Sequence, residues 1–396
     1  MNSRERMDAA MRLRQPDRVP VMCQLSLGHY FLHAGIDPVE IWHSTEGFAE
    51  ALLRLQQRYG FDGVLINLPG RPPHWRQLIR KIERRNGSHV ITWKNGTYTV
   101  LPDDDNPHVY QPDGTRYFPR FEELDPDKLF YVEPHDLGGL SYPWRWSFAE
   151  ELAMPGPDFF PPWHFDTIRY IERRAGDSLS VHAEIFSPFS QFLELLDYTN
   201  ALLALLDDPG KTRACLEALS RGAIELACGQ VAAGAHAILI SSAFAGAGFI
   251  SRQHYEEFVL PFERQVIAGI RACCDVPVYT HTCGLIGDRL DLLAATGTSG
   301  IDTLDPPPIG NVLLADAKRQ VGSRLFLKGN LDPVNTLLAA TPDVVRAAAR
   351  ACIRDAAAGG GYILSSACSV APRTPPENLL VLREAAETFG AYPLKE

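Results

Sequence analysis

The side chains best equipped for chemistry lie where apolar runs end. In "VPVYTHTCGLIGDRL" (276–290) an apolar run gives way to His281 and Cys283, an imidazole and a thiol two positions apart. On a strand, residues i and i+2 face the same side, so both groups point one way. Another soft donor, Cys368, closes the run "GYILSSAC" (361–368). One imidazole and two thiols make three ligands with a fourth position open, the pattern of a catalytic rather than a structural zinc site. A buried histidine beside buried free cysteines accounts for the same residues without a metal. The choice turns on whether the elements carrying them meet.

Those elements are short, β-branched, apolar runs: "VPVMCQ" (19–24), "GVLINL" (63–68), "LSVHAEI" (179–185), "HAILISS" (236–242), "VPVYTHTC" (276–283), "GIDTLDP" (300–306), "RLFLKGN" (324–330) and "GYILSSAC" (361–368). Near-continuous apolar character is expected of parallel strands covered on both faces. Segments of helical period separate most of them, such as "TEGFAEALLRLQQRYG" (45–60), which ends on a glycine suited to a C-cap. Eight β-then-α units predict a single (β/α)8 TIM barrel over residues 1–396. No G-x-G-x-x-G follows any of the runs, so nothing supports a dinucleotide-binding sheet.

In such a barrel, polar residues at C-terminal strand ends converge on one mouth. Here they are Asn67, Glu184, Ser241, Ser242, His281, Cys283, Asp302, Asp305, Asn330, Asp332 and Cys368. Glu184 is the best polar helper, a carboxylate placed to position a substrate, accept its proton or complete a metal shell; a structural carboxylate capping a loop is the alternative. Asn67 faces the same mouth. Asn330 and Asp332 are candidates for substrate contact or for orienting a ligand, although Asp332 equally suits an N-cap before Pro333. His29 and Tyr30 follow the first strand near the mouth, where loop packing is the alternative.

The gap between the second and third runs exceeds one crossover helix. Residues 70–165 hold Trp75, Trp93, Trp144, Trp146 and Trp163, and Asn95-Gly96 within "HVITWKNGTYTVLP" (89–102) is a strong hairpin signal. This stretch is expected to be an insertion subdomain capping the active-site mouth, its aromatics lining a pocket, forming a partner interface, or stapling a small core.

With 45% hydrophobic and 22% charged residues, the composition is that of a globular protein. A net charge of −10 argues against nucleic acid as the main partner. The longest apolar runs fall short of a membrane span of ~18 residues. The charged start lacks the apolar core of a secretory signal, and eight cysteines at no framework spacing fit a reduced, cytoplasmic setting.

"HTCG" (281–284), "LKGNLDP" (327–333) and "GGGYILSSACSVAPRTPPENL" (359–379) resemble the uroporphyrinogen decarboxylase superfamily. More narrowly they resemble its zinc-dependent branch of corrinoid methyltransferases, which includes the methylcobamide:coenzyme M methyltransferases. "MRLRQPDRVPVM" (11–22), "EIFSPFSQFLELLDYTNALLALLDDP" (184–209) and "HYEEFVLPFERQVI" (254–267) extend the likeness over most of the chain outside 70–165. The resemblance implies the barrel fold and zinc on His281, Cys283 and Cys368. It also implies methyl transfer between a corrinoid (a cobalamin) and a small molecule such as a methoxy compound or a thiol. The corrinoid is expected on a partner protein, because this chain has no D-x-H-x-x-G signature.

The sequence departs from the decarboxylases themselves. Their arginine-rich segment after the first strand is replaced by "SLGHYFLHAGI" (26–36), their aspartate at the second strand's end by Asn67, and their histidine in the last strand motif by Cys368. Loss of the cationic clamp argues against a polycarboxylate substrate. A zinc-free decarboxylase or other lyase, and a non-catalytic barrel that binds a partner, are the alternatives.

Overall fold

The computed structural model describes residues 1–113, 118–133 and 159–394; Trp144 and Trp146 lie outside them. Seven strands form one parallel sheet, taken in spatial order: β1 (Gly63–Ile66), β6 (Ser180–Phe186), β7 (Ala237–Ser241), β8 (Val278–Thr282), β9 (Gly300–Thr303), β10 (Phe326–Leu331) and β11 (Tyr362–Ser366). Every neighbouring pair is parallel, and helices cross between most of them, including Pro209–Ala232, Leu260–Cys273 and Pro342–Ala356. Strands buried on both faces by these helices carry the uninterrupted apolar runs of the sequence.

The first expected strand differs. Residues 19–25 are extended but meet the sheet only at isolated bridges, Val21 to Leu364 and Leu25 to Val370. Pro20 has no N–H to give a ladder. On the other flank the Val21 N–H goes to the Asp62 carboxylate (2.8 Å) instead of a strand carbonyl, while the Asp62 N–H returns to Val21 O. The segment still touches both edges of the sheet, beside β1 and β11, and so closes the barrel. Asp62 is fully buried and also takes Arg6 and Arg18, each at 2.8 Å, which fixes this closure.

Alternation divides the barrel interior into two layers. Leu65, Leu239, Tyr279, Phe326 and Ile363 fill the lower layer together with Met7 and Met11 from the helix Ser3–Met11, which plugs the bottom. Two residues further along each strand, polar side chains take over. Between β1 and β6, four antiparallel strands form a separate sheet: β2 (Ile79–Arg85), β3 (Ser88–Trp93), β4 (Tyr98–Pro102) and β5 (His108–Tyr110). The β3–β4 connection contains Asn95-Gly96, and Gly96 sits at φ +91°, a conformation side chains rarely adopt.

Cys228 and Cys273, read from spacing as separate thiols, are joined by a disulfide between the helices Pro209–Ala232 and Leu260–Cys273, with Cα atoms 6.4 Å apart. The pairing depends on helix packing across 45 residues, which spacing does not reveal. Among the described residues, no helix is long and apolar enough to cross a membrane.

Two buried histidines make acid stability measurable. His182 bonds Tyr279 Oη (2.8 Å) and Ser180 Oγ (3.0 Å), and His29 bonds Tyr59 Oη (2.8 Å) and the Pro372 carbonyl (3.1 Å). Burial pushes them down to about 3 and about 4, so both stay neutral in the fold while the unfolded chain takes up protons near 6.5. Their contribution is complete above 6.5 and is lost as pH falls from there toward 4, by about 1.4 kcal/mol per pH unit per histidine. Burial pushes His43, His164 and His236 down in the same way. Together the histidines outweigh the opposing carboxyls of Glu184, Glu263 and Asp305, which burial raises. The denaturant midpoint is therefore expected to drop between pH 7 and pH 5; an unchanged midpoint contradicts this.

Candidate metal centre

The upper polar layer is built by register. His281 on β8 lies opposite Asp302 on β9, and Asp302 lies opposite Lys328 on β10. His281 Nδ1 is 3.1 Å from Asp302 Oδ2 and 2.8 Å from Thr303 Oγ1, and Lys328 Nζ donates to Asp302 Oδ1 at 2.8 Å. With Nδ1–H held by these oxygens, the imidazole presents Nε2 to the mouth. Thr303 and Leu304 reach this arrangement at φ +87° and +57°, a strained backbone for residues with side chains.

Beyond the strand, Cys283 Sγ is 3.1 Å from His281 Nε2, and Cys368, two residues past β11, brings its sulfur within 3.7 Å of Cys283. All three donor atoms fall within 4.8 Å of one another, the one such group among the described residues. The donor set fits zinc. Two thiolates on a tetrahedral ion with Zn–S bonds of ~2.3 Å stand roughly 3.7–3.8 Å apart, which is the separation of these sulfurs.

The charges within the set are tied to one another, and a divalent ion entering it would displace protons. Burial pushes His281 down, but the bonds to Asp302 and Cys368 override it and hold the imidazole at about 10. The thiol pair behaves as a unit. Hydrogen bonding from Cys283, then from His281, holds Cys368 well below the ordinary thiol range, and the same contact with Cys368 pushes Cys283 up. Burial raises Asp302, but Lys328 and His281 prevail and keep it at about 2. The metal-free set is thus an imidazolium, one thiolate and one thiol, formally neutral, as are two thiolates with a divalent ion.

Glu184, on β6, is partly buried, and its carboxyl is pushed up to about 7 by burial against the opposing pull of His281 and a Ser241 hydrogen bond. Glu184 and Asn67 line one cavity of about 20 Å³, room for a single water, together with Tyr131, Glu133 and His164. Tyr131 Oη donates to Glu133 Oε2 at 3.1 Å. Asp305, on the loop after β9, is held against the metal loop by the Gly284 N–H (2.5 Å), and burial raises it to about 6.

Four of the expected substrate contacts are engaged elsewhere. His29 is fully buried on Tyr59 and Pro372, and Tyr30 packs edge-on against Phe48. Asn330 donates to the Leu304 carbonyl and meets Cys352 of the helix Pro342–Ala356. Asp332 accepts from the Val334 and Asn335 N–H groups and the Asn335 amide, which makes it a cap. Lys328 and Thr303 went unnoticed as site residues. A lysine inside the apolar "RLFLKGN" was the available signal for the first, whereas nothing in the sequence announces the backbone twist that aims the second.

The family model for uroporphyrinogen decarboxylase (URO-D) matches residues 142–389, which include β6 to β11 and all three candidate ligands. The chain belongs to the uroporphyrinogen decarboxylase family. Family members with curated descriptions include the uroporphyrinogen decarboxylase of Thioalkalivibrio sulfidiphilus, 27% identical over 248 residues, or 60% of this chain and 68% of the relative. That of Ralstonia nicotianae is 33% identical over 202 residues, 49% of this chain and 52% of the relative, so the match spans about half of that protein. Among solved structures, a methyltransferase from Methanosarcina mazei superposes over 98% of this chain and 99% of its own, with TM-score 0.70 and 19% identity, a likeness of fold.

Proposed function

We propose that this member of the family is a zinc-dependent methyltransferase, moving a methyl group between a corrinoid on a partner protein and a small molecule such as a thiol or a methoxy compound. One observation carries the reading: an imidazole and two thiols converge at the barrel mouth within 4.8 Å of one another, which leaves a tetrahedral ion one position unfilled by protein. When bound there, zinc supplies Lewis acidity, which favours the thiolate of a coordinated thiol or polarises a methyl ether. His281, Cys283 and Cys368 hold the ion, and Asp302 fixes the imidazole tautomer through Nδ1. Lys328 keeps Asp302 ionised. The fold shared with the Methanosarcina mazei methyltransferase supports the reading. The curated relatives' name favours a second one, decarboxylation, but the segment that would clamp a polycarboxylate carries no arginine and its His29 and Tyr30 are buried in packing.

Glu184 accepts the proton that a thiol substrate gives up. With its carboxyl at about 7 it is ionised, and able to accept, only above that pH. Turnover with a thiol is therefore expected to rise with pH through about 7 and then level off. Glu184→Gln is expected to lower kcat by about 10²–10⁴-fold and to abolish that limb. A profile identical in the variant contradicts the role.

The test of the function itself pairs methylcobalamin with a panel of thiols, and cob(I)alamin with a panel of methoxy compounds. Zinc-dependent methyl transfer in either direction is expected. No transfer, with turnover of uroporphyrinogen instead, establishes the decarboxylase.

A further inference from the structure

Away from the metal centre, a second group of sulfurs gathers on the outside of the barrel. Cys228, on the helix Pro209–Ala232, is bonded to Cys273, the last residue of the helix Leu260–Cys273. Cys274 is a free, partly exposed cysteine, and its Sγ stands 3.6 Å from that of Cys273. A thiol therefore touches one sulfur of a disulfide. The group precedes β8, whereas His281 and Cys283 lie at and beyond the other end of that strand.

Two further features bear on what these sulfurs can do. Arg271, Ala272, Cys273 and Asp275 are all exposed, so small solutes reach the bond from outside. The two helices also hold together without it. A Cβ built on Gly269 would come within 2.5 Å of Ile224 Cδ1, which shows how closely the helices pack, and Gln265 donates to Glu217 at 2.6 Å. The bond can open and close while that packing persists. An accessible disulfide with a further thiol in reach has the character of an exchanging bond rather than of a permanent staple.

We propose that Cys228, Cys273 and Cys274 form a thiol–disulfide exchange site that reacts with a low-molecular-weight thiol or its disulfide, Cys274 passing the bond between chain and solute. In opening, the Cys274 thiolate attacks Cys273 Sγ. The Cys273–Cys274 bond forms, the Cys228–Cys273 bond breaks, and Cys228 leaves as a thiolate that takes up a proton. A small thiolate then attacks Cys274 Sγ, and Cys273 departs with the electron pair. A second small thiolate releases Cys274 and completes the small disulfide. Two small thiols are oxidised, and the chain's disulfide is reduced to two thiols; closing is the reverse. The first step needs no outside reductant, because both sulfurs belong to the chain and are already in contact. Burial, then Asp275, pushes the Cys274 thiol up, which slows its attack and keeps the exchange within reach of acid quenching.

The test equilibrates the full chain with oxidised glutathione, removes the glutathione, and incubates at neutral pH without reductant. Samples are quenched in acid, blocked there with N-ethylmaleimide and mapped by peptide mass. Label is expected to appear with time on Cys228, in molecules whose Cys273 and Cys274 are joined to each other, and to stay absent from Cys228 in Cys274→Ser. In Cys228→Ser, oxidised glutathione is expected to join Cys273 to Cys274 and leave no lasting adduct. Cys228 that never takes label, label on Cys228 that persists in Cys274→Ser, or a Cys228→Ser chain that keeps glutathione overturns the exchange site. A wild-type chain with all three thiols free after the oxidising step overturns it as well. None of these outcomes bears on the zinc reading, whose ligands lie elsewhere.

Discussion

Cys283→Ser and Cys368→Ser chains are each expected to fold and yet to hold no zinc, with methyl transfer reduced by more than about a hundredfold. Both thiols lie beyond the ends of their strands and keep partial exposure, so neither is part of the packed core, and a hydroxyl of nearly the same shape fits in its place. What changes is the donor. The two sulfurs share one proton readily lost and one held tightly, and the first lets a divalent ion enter. Serine offers no comparable anion, and the remaining imidazole and single thiol make a site with only two protein ligands. Loss of an outer hydrogen-bonding partner alone typically weakens a metal site by about 10–100-fold, so loss of a ligand exceeds that. Metal content together with a thermal melt checks the expectation. Wild-type zinc in either variant contradicts it.

The second large effect is at Lys328. Its ammonium is 1% exposed and neutralises Asp302, itself 2% exposed. Lys328→Met fills the same volume but leaves a carboxylate in the barrel with His281 as its remaining partner. Breaking a buried pair in this way costs about 3–5 kcal/mol of stability. Asp302 then rises toward its neutral form, its grip on Nδ1 weakens, and zinc affinity falls by about 10–100-fold. Lys328→Met combined with Asp302→Leu is expected to recover much of the stability, since both buried charges are gone, but none of the affinity. Urea midpoints and zinc competition titrations separate the two effects. A single variant within about 1 kcal/mol of wild type contradicts the account of the pair.

Much of the site was legible because a barrel turns strand order into geometry. Once eight apolar runs were aligned, His281 and Cys368 had to share a mouth although 87 residues separate their positions in the chain (281 to 368). Inward parity likewise placed Glu184 and Asn67 beside one cavity. What the pattern left open between two readings, or did not show, was anything decided by a single turn of backbone. Asp332 caps residues 333–338 instead of facing the mouth, and Asn330 turns its amide toward Leu304. His29 falls on a short helix that packs against Tyr59. The first strand was misjudged for a related reason: Val21 bonds a side-chain carboxylate, and no pattern of apolar residues encodes that exchange. The contribution of Tyr131, Glu133 and His164 to the cavity was out of reach as well, since none of them lies at the end of one of the eight apolar runs.

The central claim is a three-donor zinc centre, and zinc content measures it most directly. The full chain, produced with zinc present and freed of loosely held metal, is predicted to retain about one zinc ion per chain and to lose methyl transfer when a chelator removes it. A metal-free chain whose activity is undiminished would contradict the account.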